Sequence, residues 1–548
     1  MTSGNDAPLR AAPPNPEPEH PQPRRLGRNA ATTSLGALGG IAAGLLLDVA
    51  IAATFGAGPA TDSLFVAMRL PVGLTAVIMA GANQALVPMF SRWQIHKTTR
   101  AFSRSVSVVL FGSLVAGSVV AGLGMLLAYP LMAITAPGMS APNIERAAAL
   151  ARIMFWLIPL VTGAEVFRSY MNSRHRFGVP AAMGIVMNGL AAAIVIVWSP
   201  HRVAVAAWAY VVGALVQLIF MACMASLVGL RLTPTLALRD PELASVARVS
   251  ARPLAAAALN PLVRVVEQMM ISFLPAGSIT ILNYSNRLIS AIGGTVLFRS
   301  VMVVLLPRLT EAWERRATDE VLQLARTGMA LMLRLSLPLT VLIVVLGRPG
   351  ALVVFHRGQF TRTDALALGT CLAVYAFSLV GQAEQRALLA PFYARLSMKI
   401  PWRNSVYGVV ANLALLPVLV LPFEHRSGLA ALIGVAVAFS ASQYVNVAHA
   451  WWHLHRLLGP VMDRRLAVNM LWTTAAAGAC GGAMVLGSIV LDLNGDWSRL
   501  ELLGRTVLVG VVGLGVFALV LLPTRNSVAG AGRGRHAVSG RTDSMPAA

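Results

Sequence analysis

The chain has 548 residues, 56% hydrophobic and only 12% charged, against about 25% charged in an ordinary soluble protein. A mean hydropathy of +0.69 and three widely spaced cysteines exclude a soluble enzyme, a disulfide framework and a zinc centre. The formal charge of +22 would suggest nucleic acid in a soluble chain, yet most of this one has too few charges to build a basic surface.

Residues 1–31 are Pro-rich and polar and end in the cluster Arg24, Arg25, Arg28. They predict a structureless cytosolic tail without the apolar core of a signal peptide. A bilayer core of about 30 Å needs about 20 apolar residues in a helix, and stretches of that size recur fourteen times. Six fall in 32–228, six in 229–456 and two in 457–523, and 524–548 is a second structureless tail. The expected fold is an all-α polytopic membrane protein of two pseudo-symmetric six-helix lobes plus two C-terminal helices. With the N-terminus inside, the tails and cytosolic loops hold about four times as many Lys/Arg as the outer loops, the bias that sets orientation. Both termini are therefore expected in the cytosol.

The repeat is read from the charges. Four acids lie inside the expected spans, Asp48, Glu165, Glu267 and Glu384, and form two pairs each 219 residues apart. Arg69 and Arg287 are 218 apart, as are Arg168 and Arg386. The 219-residue shift of the acids superposes Gly58 on Gly277 and Pro88 on Pro307, both prolines being expected at helix ends. Six spans per copy is even, so the copies share one orientation, the parallel type of transporter repeat, whose substrate site lies between the halves.

Depth suggests roles. Asp48 and Arg69 sit at one level near the outer surface, and so do Glu267 and Arg287, which predicts one acid–arginine pair per lobe facing a central cavity. Arg264, three residues before Glu267, shares its face and competes for the acid. Nearer the cytosol, Glu165 and Arg168 are spaced to pair along one helix, whereas Glu384 and Arg386, two apart, are not. Arg299 is expected to line the cavity. Arginines outnumber acids in the spans by about two to one. Arginine suits bidentate phosphate recognition, so an anionic, pyrophosphate-bearing substrate is expected. A purely structural reading stands beside this one, in which each acid and arginine neutralise one another and tie two helices together.

Several segments carry a family resemblance. They are F-G-A-G-P-A-T-D-S-L-F-V-A-M-R-L-P (Phe55 to Pro71), G-A-N-Q-A-L-V-P (Gly81 to Pro88), N-Y-S-N-R-L (Asn283 to Leu288), F-H-R-G-Q-F-T-R-T-D-A (Phe355 to Ala365) and F-Y-A-R-L-S-M-K-I-P (Phe392 to Pro401). With them the chain resembles the MurJ/MviN family, the lipid II flippases of the MATE-like exporter superfamily, over about residues 33–523. The resemblance implies fourteen helices in two lobes and alternating access. It further implies a cationic cavity that carries a polyprenyl-pyrophosphate-linked sugar to the outer leaflet of the bacterial inner membrane. By position, Asp48, Asp62, Arg69 and Arg287 match family charges, Arg386 matches a basic position, and Gly56, Gly58 and Asp62 belong to the first outer-loop signature. Ile41, Leu47, Thr75 and Ala76 stand where the family has arginines and Ala80 where it has a glutamate. Arg264 and Glu267 are additional. This cavity keeps its sign but moves part of its charge, which favours a divergent member handling lipid II or a related envelope glycolipid.

The expected partners are that glycolipid, membrane lipids and envelope-synthesis proteins, with no nucleic acid and a monomeric chain. No catalytic residue, metal or cofactor is expected, since the Gly-rich stretch Gly36–Gly40 lies in an apolar helix without P-loop residues. The alternatives are a cation-coupled small-molecule exporter of the MATE type, which the arginine surplus opposes, and a non-transporting envelope scaffold, which a collapsed cavity would favour.

Overall fold

The computed structural model describes residues 23–522 apart from 199–201, 234, 236, 238, 424–427, 494 and 496. Among them the fold is helical throughout. In chain order come α1 (Pro23–Phe55), α2 (Pro59–His96), α3 (Thr99–Leu126), the short α4 (Ala128–Thr135), α5 (Ala141–Met154) and α6 (Leu157–Ser173). One turn, α7 (Gly178–Ala181), precedes α8 (Met183–Trp198) and α9 (Ala204–Leu227), which close the first half. The second half holds α10 (Pro241–Ile271), α11 (Ser278–Ile289), a π-helical segment Ser290–Leu297, α12 (Phe298–Glu314), α13 (Thr318–Phe355), α14 (Arg362–Ala394), α15 (Lys399–Val420) and α16 (Gly428–Leu458). Finally α17 (Arg464–Val490) and α18 (Arg499–Leu521) pack against each other and against α13.

Helices follow from the solvent. In lipid every backbone N–H and C=O must be satisfied within the segment, and large apolar side chains such as Leu126, Leu471 and Leu500 stand exposed on the outside, as a bilayer-facing surface allows. Twelve helices among the described residues are long and apolar enough to cross a membrane. The seventh and eighth expected spans are helical but not among the twelve. The seventh, α10, carries Arg264 and Glu267, and the eighth is split into two shorter α-helices by the π-helical segment. Helix α1 begins at Pro23, so the basic end of the expected tail is helical, while residues 1–22 lie outside the described residues.

The charge repeat reappears in the helix starts. Helices α2 and α11 begin 219 residues apart, and so do α3 and α13. Pro88 and Pro307, expected at helix ends, lie inside α2 and α12. Small residues bring the backbones together: a Cβ on Gly184 would sit 3.2 Å from the Gly40 Cα, which binds α1 against α8. Gly36 and Gly39 likewise face Ala181 and Ile185, so the glycine-rich stretch of α1 serves close helix packing. The halves meet along α2 and α10, where Gly73 faces Pro261 and Gly81 faces Leu254. At the foot of this seam the Lys97 ammonium pairs with Glu242 and donates to Ser105 Oγ at 2.7 Å.

Candidate functional site

The outer tier of charges is assembled crosswise. Asp48, two turns before the end of α1, is paired not with Arg69 but with Arg287 of α11. Arg287 also donates to the Tyr210 hydroxyl at 3.4 Å and lies 5.8 Å from the centre of the Phe65 ring. Arg69 of α2 reaches into the second half as well, donating through Nε to Gln268 Oε1 at 2.7 Å and through a terminal nitrogen to Asn283 Oδ1 at 3.1 Å. The expectation of one pair per lobe is thus corrected: each arginine crosses to the other half. Glu267 is taken by Arg264 at 3.0 Å, one helical turn away, and accepts from Asn412 as well. Competition by Arg264 was readable from the spacing; the amide partners were not, because Gln268 and Asn283 look like any polar residue in an apolar helix.

These groups converge on a cavity of about 550 Å³ between α2, α10, α11 and α14, lined by Arg69, Arg264, Glu267, Arg287, Asn283 and Asn286 among others. A second cavity, of about 800 Å³, lies against α1, α6, α8 and α9 and is lined by Asp48, Glu165, Arg168 and Gln217 among others. Arg287, Met68 and Val72 line both. Both volumes fall in the range of about 300–1,000 Å³ typical of ligand sites. A smaller space of about 180 Å³, nearly all apolar, separates α1 and α11 from α13.

The inner tier behaves differently. Glu165 is buried and pairs with Arg168 at 2.5 Å along α6, as the three-residue spacing allows. Glu384 on α14 is buried too, but neither carboxylate oxygen accepts a hydrogen bond among the described residues. Neither Glu384 nor Arg386 lines the two larger cavities, so Arg386 is not brought together with Arg69 and Arg287. The Arg299 side chain lies outside the described residues.

The first outer loop has a definite job. Asp62, in the first turn of α2, accepts from the Gly277 N–H at 2.6 Å, the Thr280 N–H at 2.8 Å and the Thr280 hydroxyl at 2.6 Å. A carboxylate there satisfies the free N–H groups at the start of α11 and opposes the positive end of its dipole. Gly56 adopts φ +68°, and a Cβ would collide with the Gln359 carbonyl. The Gln359 N–H in turn donates to the Ala53 carbonyl at 2.7 Å. On the other flank the Gly138 N–H donates to Ser272 Oγ at 2.9 Å. The outer ends of the halves are thereby stitched together. At Gly58 the backbone is extended and a Cβ meets open space, so nothing in the structure explains that glycine. No group of three His, Cys, Asp or Glu side chains able to hold a metal is found among the described residues.

The family model for lipid II flippase MurJ matches residues 51–503. Lipid II flippase MurJ of Burkholderia cenocepacia is 27% identical over 413 residues, which are 73% of this chain and 79% of that one. Among solved structures, a lipid II flippase MurJ in an inward closed conformation superposes with a TM-score of 0.72 at 19% identity, over 90% of this chain and 99% of its own. An inward-facing MATE-family multidrug transporter of the MOP superfamily follows the same fold at a TM-score of 0.61 and 13% identity, over 78% and 98%.

Proposed function

The chain belongs to the MurJ family of lipid II flippases, and from that premise we propose that it carries lipid II or a related polyprenyl-pyrophosphate-linked glycan to the outer leaflet. It does so by alternating access, as a monomeric, multi-pass inner-membrane transporter with both termini in the cytosol. The repeats form an N-lobe (32–228) and a C-lobe (229–456), with 457–523 appended. The pyrophosphate is held by Arg69, Arg264 and Arg287.

The observation that carries this reading is the convergence of those three guanidinium groups on one cavity between the halves. Arg264 and Arg287 are paired with Glu267 and Asp48, and the surplus of positive charge sits at Arg69, which neutral amides rather than carboxylates hold in place. An exporter of cations would be poorly served by such a lining, and a scaffold without transport would have no use for the open volume. Planar guanidinium forks match phosphate oxygens in pairs, and inside a low-dielectric cavity each such contact is stronger than in water.

The test is complementation. Expression of the chain in cells depleted of their lipid II flippase is expected to restore growth, and Arg69→Ala is expected to abolish rescue while the protein still reaches the membrane at normal amount. Rescue by Arg69→Ala equal to that of the wild type would remove the arginine-held anion from the mechanism.

A further inference from the structure

The two larger cavities share a wall but differ in charge. In the smaller, Arg264 faces Glu267 and Arg287 faces Asp48, and Arg69, held by the Gln268 and Asn283 amides, is left as a cation without a carboxylate partner. The larger holds Arg168 and Arg287 against Asp48 and Glu165, and there each acid already faces an arginine: Asp48 with Arg287, Glu165 with Arg168. An anion entering the larger space therefore meets no surplus of positive charge. What remains to meet an incoming group is uncharged: the Thr75 and Tyr210 hydroxyls and the Asn188 and Gln217 amides.

Gln217 is the most telling of these. It is 6% exposed, and its Oε1 accepts no hydrogen bond among the described residues. A buried polar atom without a partner is costly, and here it belongs to a residue lining the larger of the two ligand-sized spaces. The groups that complete such a lining are neutral donors and acceptors, and the hydroxyls of a sugar supply both at close spacing.

Resting on the flippase reading above, we infer that the larger cavity is the sugar subsite. The charged linkage lies among Arg69, Arg264 and Arg287, the uncharged glycan lies in the N-terminal half, and Gln217 with Asn188 sets its specificity. Sugar hydroxyls donate to Gln217 Oε1 and accept from the Asn188 amide. Arg287, which lines both spaces, stands where the linkage gives way to the sugar. Recognition is then divided by chemistry: the first cavity reads charge and the second reads hydroxyl pattern.

The experiment uses the full chain in nanodiscs and two probes, polyprenyl pyrophosphate and the same lipid bearing a disaccharide but no peptide. Gln217→Leu, which keeps the volume, is expected to weaken the disaccharide lipid about tenfold, as loss of a hydrogen bond to a buried group does. It should leave the sugar-free lipid within about twofold of wild type, and retained binding of that probe reports that the variant is folded. Asn188→Leu provides an independent variant with the same expected pattern. Equal weakening of both probes, or weakening of neither, overturns the sugar subsite while leaving the flippase reading in place. Failure of the wild type to bind either probe overturns the flippase reading and the subsite with it.

Discussion

The two ends of this helical bundle use similar residues in different ways. Toward one end, Asp48, Arg69 and Asp62 each find their partner in the other repeat. Toward the opposite end, Glu165 pairs within its own helix and Glu384 accepts from no described neighbour, while Lys97 at the foot of the seam crosses to Glu242. Charges that cross between the halves resist their separation, and the Asp48, Arg69 and Asp62 contacts outnumber the single Lys97–Glu242 tie described at the other end. The difference teaches that sequence equivalence under the repeat fixes where a charge sits, while the docking of the halves decides whether it acts as a tie.

The sharpest way to break this comparison is at Arg287. Arg287→Gln is expected to lower flipping by about a hundredfold or more in a vesicle assay, because it removes one of the three arginines proposed to hold the pyrophosphate and leaves Asp48 buried without its partner. A fully buried broken pair costs about 3–5 kcal/mol; here the cost should be smaller, since the guanidinium still faces open cavity. Asp48→Asn combined with Arg287→Gln should recover most of the thermal stability without recovering transport. Recovery of both would reduce the pair to a tie between helices.

Asp62 comes next. Asp62→Ala deletes three hydrogen bonds at the start of α11 and is expected to lower stability by about 3 kcal/mol, seen as a fall in melting temperature. It should also raise thiol labelling of a cysteine placed at Gly277, since the outer seam is looser. Unchanged labelling would mean that the other outer contacts suffice.

The smallest effects are expected in the inner tier. Glu165→Gln leaves Arg168 without its ion pair and should cost about 1–3 kcal/mol, as for a buried hydrogen bond to a charged group, whereas Glu384→Gln replaces a buried carboxyl group that no described donor stabilises and should be neutral or slightly stabilising. Chemical denaturation of the two variants side by side checks the order, and a larger loss for Glu384→Gln would reverse the comparison.

Much of this was legible beforehand because it depends on short range or on period. The apolar runs announce the helices, the 219-residue shift announces the repeat, and three- against two-residue spacing separates Glu165 from Glu384. The crosswise partners of Arg69 and Arg287 were not legible, because depth along a helix says nothing about which neighbouring helix a side chain will meet. Asp62 was flagged only through its motif; its task as a cap for a helix 215 residues later belongs to the tertiary structure alone. Gln217 carried no sequence signal at all, being one amide in an apolar span.

The contact between Gly40 and Gly184 has a mechanical side. Backbones that approach this closely leave no side chains between them to flex, so α1 and α8 are geared to turn together as a single lever. Any widening of the space between α1 and the eighth span must then be absorbed on the opposite side. The π-helical segment Ser290–Leu297, which begins just beyond Arg287, borders the same larger cavity as α1 and carries the rarer winding often found at functional sites.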